Sequence, residues 1–190
     1  GGCGCHTAEN GQPLSGGRPL KTPFGIYFSS NITPDPETGI GRWSNLDFLR
    51  AMREGVAPDG SHYFPVFPYT SFSKMTETDV LHLKDYLFTQ AAVAQSNRPH
   101  DVWFPFNLRL SAWGWKLVNF GPDRLLPDSE KSESWHRGRY LAEAVAHCGE
   151  CHTPRNLLGA LNPDWPYAGS REGPEGELAP NITPDAETGI

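Results

Sequence analysis

The sequence lacks any long apolar run and contains little cysteine or methionine. Its 190 residues include four Cys and two Met, and no run reaches the roughly 18 apolar residues that a membrane-spanning helix needs. We therefore expect no membrane span within it, and all four cysteines lie in two short clusters. Only 37% of the residues belong to the set AVILMFWYC, whereas Gly (20) and Pro (18) are abundant. Long loops wrapped around something other than a large aliphatic core are predicted.

Positive charge is also scarce. The chain has 16 Lys and Arg against 22 Asp and Glu, which gives a formal net charge of −6 and a pI of about 5.6. This balance argues against nucleic-acid binding and is compatible with a basic docking partner.

One of two short cysteine clusters is followed directly by histidine. Cys148, Cys151 and His152 form a Cys-x-x-Cys-His motif, which is typical of covalent c-type haem attachment. Both thiols can add to haem vinyl groups, and the adjacent imidazole reaches the iron from one face. A redox dithiol has no role for this histidine, and zinc would need two further ligands nearby. The motif therefore predicts haem c at Cys148 and Cys151, with His152 as the iron ligand.

The other cluster opens the chain as Gly-Cys-Gly-Cys-His at positions 2–6. Cys3 and Cys5 are too close in sequence for a comfortable disulfide. We predict that His6 binds a first haem iron and that Cys5 anchors that haem. Cys3 either attaches as well or stays free, because one intervening residue changes the reach of the pair.

Covalent haem attachment also predicts a compartment. It belongs to the exterior side of the bacterial inner membrane, so we expect the periplasm, in association with the membrane face. No signal peptide is visible, and the start of the chain has the character of a processed or incomplete end.

A ten-residue repeat predicts the domain organisation. Asn-Ile-Thr-Pro-Asp-Pro-Glu-Thr-Gly-Ile at 31–40 recurs at 181–190 with nine of ten positions identical. Asn31 lies 25 residues after His6, and Asn181 lies 29 residues after His152. We predict two tandem haem domains. The first covers residues 1–92 without its N-terminal helix, and the second covers residues 133–190 as the first half of a domain.

The connector between them, residues 93–132, is too aromatic for a flexible linker. It either packs over both domains or serves as a docking surface for a partner.

Local signals predict the helices. Ser44 and Asp47 form a capping-box-like start to a helix that Gly55 would end, and Thr76 opens another through about Gln90. A third predicted helix, residues 133–147, would deliver the second haem motif from its end.

The chain resembles the multihaem cytochrome c subunits of bacterial membrane-associated dehydrogenases for alcohol, gluconate, fructose and aldehydes. The resemblance covers most of the chain and rests on the repeat, on Thr-Pro-Phe-Gly at 22–25, on Pro-Val-Phe-Pro-Tyr at 65–69, and on the residues that flank both haem motifs. It implies an all-α fold of tandem cytochrome c-like domains whose Pro- and Gly-rich loops wrap two covalently bound haems.

Two departures from the family pattern affect the first haem. Gly2 stands where the family has the first cysteine, and Phe67 stands where it has the axial methionine of Met-Pro-Tyr. Phenylalanine cannot bind iron, so the first haem is either five-coordinate or bound by Met75 or His62. The sixth ligand of the second haem is expected beyond Ile190.

The resemblance also suggests residues that support the haems. Trp43 either donates to a propionate or packs in the core, and Arg155 either neutralises a propionate or is a solvated surface residue. The Pro23 carbonyl is predicted to accept from Nδ1 of His6.

The predicted function is a periplasmic dihaem electron carrier without catalytic residues of its own. It would take electrons from a dehydrogenase partner and pass them to quinone or another cytochrome in a respiratory chain. The alternative is a dihaem peroxidase or other oxidoreductase, or a gas sensor, acting at a haem with an open axial position.

Overall fold

The computed structural model describes residues 2–121, 124–171 and 178–190, with only the backbone of Gly2 and Cys3. It begins with a 3₁₀ helix, Gly2–His6. Three strands follow in the order β1 (Pro19–Thr22), β2 (Gly25–Phe28) and β3 (Asp101–Val102). The α-helices are α1 (Asn45–Glu54), α2 (Tyr69–Phe72), α3 (Glu77–Phe88), α4 (Arg109–Asn119), α5 (Glu133–Tyr140) and α6 (Gly149–His152), and a π-helical turn, Leu141–Val145, continues α5. No helix within the described ranges is long and apolar enough to cross a membrane.

The predicted all-α class is wrong, because the structure contains a three-stranded antiparallel sheet and is only 32% helical. The β1–β2 hairpin turns at Pro23 and Phe24, with Thr22 paired to Gly25. Gly25 has φ +126°, and a Cβ there would lie 2.8 Å from the Val102 Cα atom and closer still to the Asp101 carbonyl oxygen. Glycine therefore lets β3 of the connector pair closely with β2.

The predicted first helix is confirmed at both ends. Ser44 accepts from the backbone N–H of Asp47, whose carboxylate accepts from the Ser44 N–H, and this reciprocal pair is a capping box. Gly55 ends the helix in the left-handed conformation at φ 62°. A Cβ on Gly55 would lie 2.5 Å from the Tyr69 ring, so glycine also allows α1 to pack against α2.

The other two predicted helices form with altered ends. Thr76 caps α3 as expected, but the helix stops at Phe88 rather than near Gln90. The predicted helix 133–147 is α-helical only to Tyr140, where it changes to a π turn.

The helix that precedes the second haem motif packs against the first predicted domain. Ala144 is fully buried in the main apolar cluster. The other buried members of that cluster come from the first predicted domain: Ile40, Phe48, Met52, Met75, Val80 and Leu87. Tyr140 donates to the Asp79 carboxylate at the start of α3. The two halves therefore share one core, and the predicted domain boundaries remain predictions.

The connector is a packed segment that contacts both halves. In α4, the buried Lys116 ammonium donates to the carbonyl oxygens of Glu54 and Gly55 at the end of α1. Its neighbour Trp115 donates its indole N–H to the Leu158 carbonyl at 2.8 Å, beyond the second haem motif. Contacts on successive residues thus tie the end of α1 to the loop that follows the second haem motif.

Candidate haem sites

Each predicted iron-binding histidine is oriented by a backbone carbonyl. Nδ1 of His6 donates to the Ser30 carbonyl oxygen at 2.7 Å, and Nδ1 of His152 donates to the Pro180 carbonyl oxygen at 2.8 Å. A carbonyl can only accept, so the proton is on Nδ1 and the Nε2 lone pair is available to a metal. Ser30, rather than the predicted Pro23, supplies the carbonyl for His6.

Matching loops bring the histidines and these carbonyls together. Thr7 Oγ1 accepts from the Leu14 N–H, and Thr153 Oγ1 accepts from the Tyr167 N–H, both at 3.0 Å. Leu14 and Tyr167 each have φ 62°. The two motifs therefore turn in the same way, although the loop after His152 is longer than the loop after His6.

A glycine makes the close approach possible in each loop. The Gly16 N–H donates to the His6 carbonyl at 2.7 Å, and the Gly169 N–H donates to the His152 carbonyl at 2.8 Å. Gly16 has φ +81°, and a Cβ there would lie 2.5 Å from the Ser30 carbonyl carbon. Only glycine allows the histidine loop to reach its carbonyl acceptor.

The repeated segment is a hydrogen-bonded turn with the same bonds in both copies. Asn31 Oδ1 accepts from the backbone N–H of Thr33 at 2.9 Å, and Asn181 Oδ1 accepts from that of Thr183 at the same distance. Asp35 Oδ1 accepts from the hydroxyl and the backbone N–H of Thr38, as Asp185 Oδ1 does from those of Thr188. The hydroxyl bond first, and then the backbone bond, lowers the pKa of each aspartate. Because each turn follows directly on Ser30 or Pro180, it fixes the carbonyl that orients the histidine.

The two copies of the repeated turn differ in whether another segment of the chain buries them. Asn31 Nδ2 donates to the Val93 carbonyl at 2.8 Å, and the Asn31 N–H donates to the Asn97 side chain at 2.7 Å. Residues 93–97 thereby bury the first turn. Among the described residues, no segment bonds to Asn181 in this way.

The cysteine thiols beside the histidines are unpaired. Cys5, Cys148 and Cys151 are free, and Cys148 directly precedes α6. Burial raises the pKa of the Cys151 thiol, with smaller contributions from the Glu150 charge and from Cys5 and Cys148. The side chain of Cys3 lies outside what the structure describes.

This donor set fits covalently bound haem. Each site offers a free thiol and an imidazole whose Nε2 can bind iron, and burial lowers the pKa of His6, which favours the neutral form that binds metals. Among the described residues no group of three or more His, Cys, Asp or Glu could hold a metal ion. The described part of the chain therefore offers the dithiol motif no completed zinc site.

The residues considered as sixth ligands of the first haem lie in packed surroundings. Met75 is buried in the main apolar cluster, against which Phe67 also packs. His62 Nδ1 lies 3.1 Å from the Lys116 ammonium, and burial followed by that positive charge lowers the pKa of His62. The sixth ligand of the first haem stays a prediction.

The two residues considered for the propionates differ in their contacts. Trp43 is half-buried on the main cluster, with its ring centroid 6.4 Å from that of Phe48. Arg155 forms an ion pair with Glu150 at 2.7 Å and donates to the Gly159 carbonyl. Their roles toward haem stay predictions.

Sequence reasoning missed several residues that build the sites. Ser30 and Pro180 could have been found by extending the repeat one residue back. Gly169 and Glu150 gave no comparable signal, since the histidine-to-glycine spacing differs between the loops and Glu150 occupies a variable motif position.

Comparison with known proteins also indicates a protein that binds haem covalently. No protein-family model matches the chain. It is 44% identical over 97% of its length to a dihaem cytochrome c-type protein of Cereibacter sphaeroides, of which it covers 64%. It is 38% identical over 98% of its length to the fructose dehydrogenase cytochrome subunit of Gluconobacter japonicus, of which it covers 38%. It is also 38% identical, again over 98% of its length, to the gluconate 2-dehydrogenase cytochrome c subunit of Pantoea cypripedii, of which it covers 44%.

The motifs, the carbonyl-oriented histidines and these relatives together define a c-type cytochrome that binds haem covalently. Over nearly its whole length the chain is similar to cytochrome c subunits of bacterial dehydrogenases, which confirms the resemblance drawn from its motifs. It spans less than two thirds of the length of each of these three relatives.

Proposed function

We propose that this chain is a dihaem electron carrier that takes electrons from a dehydrogenase catalytic subunit at the periplasmic face of the inner membrane. It delivers them to quinone or to another cytochrome. The observation that carries the proposal is the duplicated constellation of His6 with Ser30 and His152 with Pro180, each beside free thiols.

When bound, haem supplies iron that gains and loses one electron. The protein contributes the rest of the function. Ser30 and Pro180 hold the imidazoles in one tautomer and one orientation, so little rearrangement accompanies a change in charge. The shared core and the α4 contacts hold the two halves of the chain together, which favours electron passage between the haems they would carry.

Relatives support the partner class. The fructose and gluconate dehydrogenase relatives are named as cytochrome subunits, so their partners are dehydrogenase catalytic subunits. The periplasm is supported by the chemistry of haem c, because the thioether bonds are made on the exterior side of the inner membrane.

A reductive titration of the purified, haem-loaded protein tests the carrier function. We expect two one-electron steps that reverse on reoxidation, with optical spectra of low-spin haem throughout. The rival peroxidase or sensor function predicts a high-spin component that changes on adding peroxide or carbon monoxide. A titration with that response, or with no reversible step, would contradict the carrier proposal.

A further inference from the structure

A buried carboxylate lies inside the second haem motif. Glu150 is placed between the anchoring residues Cys148 and Cys151, and only 10% of its side chain is exposed. A polar side chain withdrawn from water to this degree is expected to be hydrogen-bonded. The residues that donate hydrogen bonds to Glu150 indicate its structural role.

Two of those donors come from the first predicted domain. Glu150 Oε1 accepts from Thr70 Oγ1 at 3.1 Å and from Ser71 Oγ at 3.0 Å. Glu150 Oε2 accepts from the Arg155 guanidinium at 2.7 Å. The carboxylate thus joins the second motif to α2, which lies 79 and 80 residues away in sequence.

The end of α2 contacts the residue that precedes the same motif. The Phe72 ring lies 5.3 Å from the ring of His147, in an edge-to-face arrangement, and His147 directly precedes Cys148. Because α2 begins at Tyr69, it also directly follows Phe67 and Pro68, where the family has its axial ligand motif. A single four-residue helix therefore contacts the second motif and borders the first haem site.

We propose that Glu150 is a positioning residue that connects the two haem sites and sets the reduction equilibrium of the second haem. Its bonds to Thr70 and Ser71 fix the second motif against α2. Its fixed negative charge, held beside the anchoring cysteines, favours the oxidised haem, which carries one more positive charge than the reduced form. The potential effect rests on the dihaem function proposed above, whereas the connection between α2 and the motif does not.

The test compares Glu150→Gln with Glu187→Gln in the haem-loaded protein. Both variants remove one negative charge from the second half of the chain. The Glu187 side chain is exposed, in the repeated turn, while glutamine at 150 keeps an acceptor oxygen for Thr70 and Ser71. We expect Glu150→Gln to raise the ratio of reduced to oxidised second haem at fixed potential by about tenfold, equivalent to 59 mV for one electron. Glu187→Gln should change it less than about twofold, because an exposed charge is screened.

Amide hydrogen exchange supplies a readout that needs no haem. Thr70→Val with Ser71→Ala removes both hydroxyl donors and leaves the motif itself unchanged. We expect faster exchange at residues 69–73 and 148–153 in this double variant, because both hydrogen bonds to Glu150 are lost, and no such change in Glu187→Gln.

Equal redox ratios in the Glu150→Gln and Glu187→Gln proteins would overturn the charge effect, and unchanged exchange in the double variant would overturn the connection. If Glu150→Gln fails to bind the second haem, hydrogen exchange in the Thr70→Val, Ser71→Ala variant still decides whether Glu150 connects the second motif to α2. The haem count of the unaltered protein is measured separately, so a failure of the dihaem function is recognised as such.

Discussion

Gly16→Ala is expected to destabilise the protein by about 3 kcal/mol, through backbone strain and overpacking, and to disturb ligation of the first haem. Gly16 has φ +81°, and its new methyl group would lie 2.5 Å from the Ser30 carbonyl carbon and 2.7 Å from the Asn31 nitrogen. Neither backbone atom can yield without moving the carbonyl that orients His6. Urea denaturation gives the stability change, and the high-spin fraction of the oxidised haem reports the ligand.

Gly17→Ala is the matched control. Gly17 has φ +83°, so alanine there is strained to a similar degree, but its methyl group would meet the end of the flexible Gln95 side chain at 3.3 Å and the Ala8 Cβ atom at 3.9 Å, with no backbone atom as close. We expect a loss of about 1 kcal/mol and no change in spin state. Equal losses in the two variants, with the same spectra, would show that Gly16 has no special role at the haem site.

Asn31→Ala is expected to destabilise the protein by about 3 kcal/mol, because it leaves several buried polar groups without partners. Asn31 is only 2% exposed. Its amide donates to the carbonyls of Val93 and Gln95, and its oxygen accepts from Thr33. The loss should appear as a lower urea midpoint at unchanged slope.

The internal repeat supplies the control for this variant. Asn181 makes the same bond to Thr183, but it is only half-buried and, among the described residues, has no covering segment. Asn181→Ala should therefore cost about 1 kcal/mol, since water can replace its bonds. A larger loss at Asn181 than at Asn31 would contradict our account of how residues 93–97 stabilise the first turn.

Much of the local structure could be predicted because the signals are short-range. Ser44, Asp47 and Gly55 lie within one helix and its caps, so the sequence defines α1 at both ends. The repeat likewise predicted two equivalent sites, since its Asn, Thr and Asp side chains bond within the same ten residues.

The remainder depends on contacts between distant residues. Strands of four and two residues carry little periodic signal, and β3 forms only because Gly25 leaves room for it. This long-range pairing is why the all-α prediction failed. The carbonyl partner of His6 lies 24 residues away and that of His152 lies 28 away, so spacing alone could not identify it.

The family resemblance gave the chemistry but not the way in which the two halves are joined. Glu150, Lys116 and Trp115 bond across the chain over 43 to 80 residues. No local pattern in the sequence marks such partners, and each became visible only in the folded arrangement.

The central claim is that haem is covalently attached at both motifs, and the intact mass of the denatured, purified protein tests it most directly. Our account predicts a mass exceeding that of the polypeptide by two haems, with the colour retained after extraction with acidified acetone. A mass gain of one haem would remove the N-terminal site at Cys5 and His6. A colourless protein, or one that loses all its pigment to the solvent, would contradict the account as a whole.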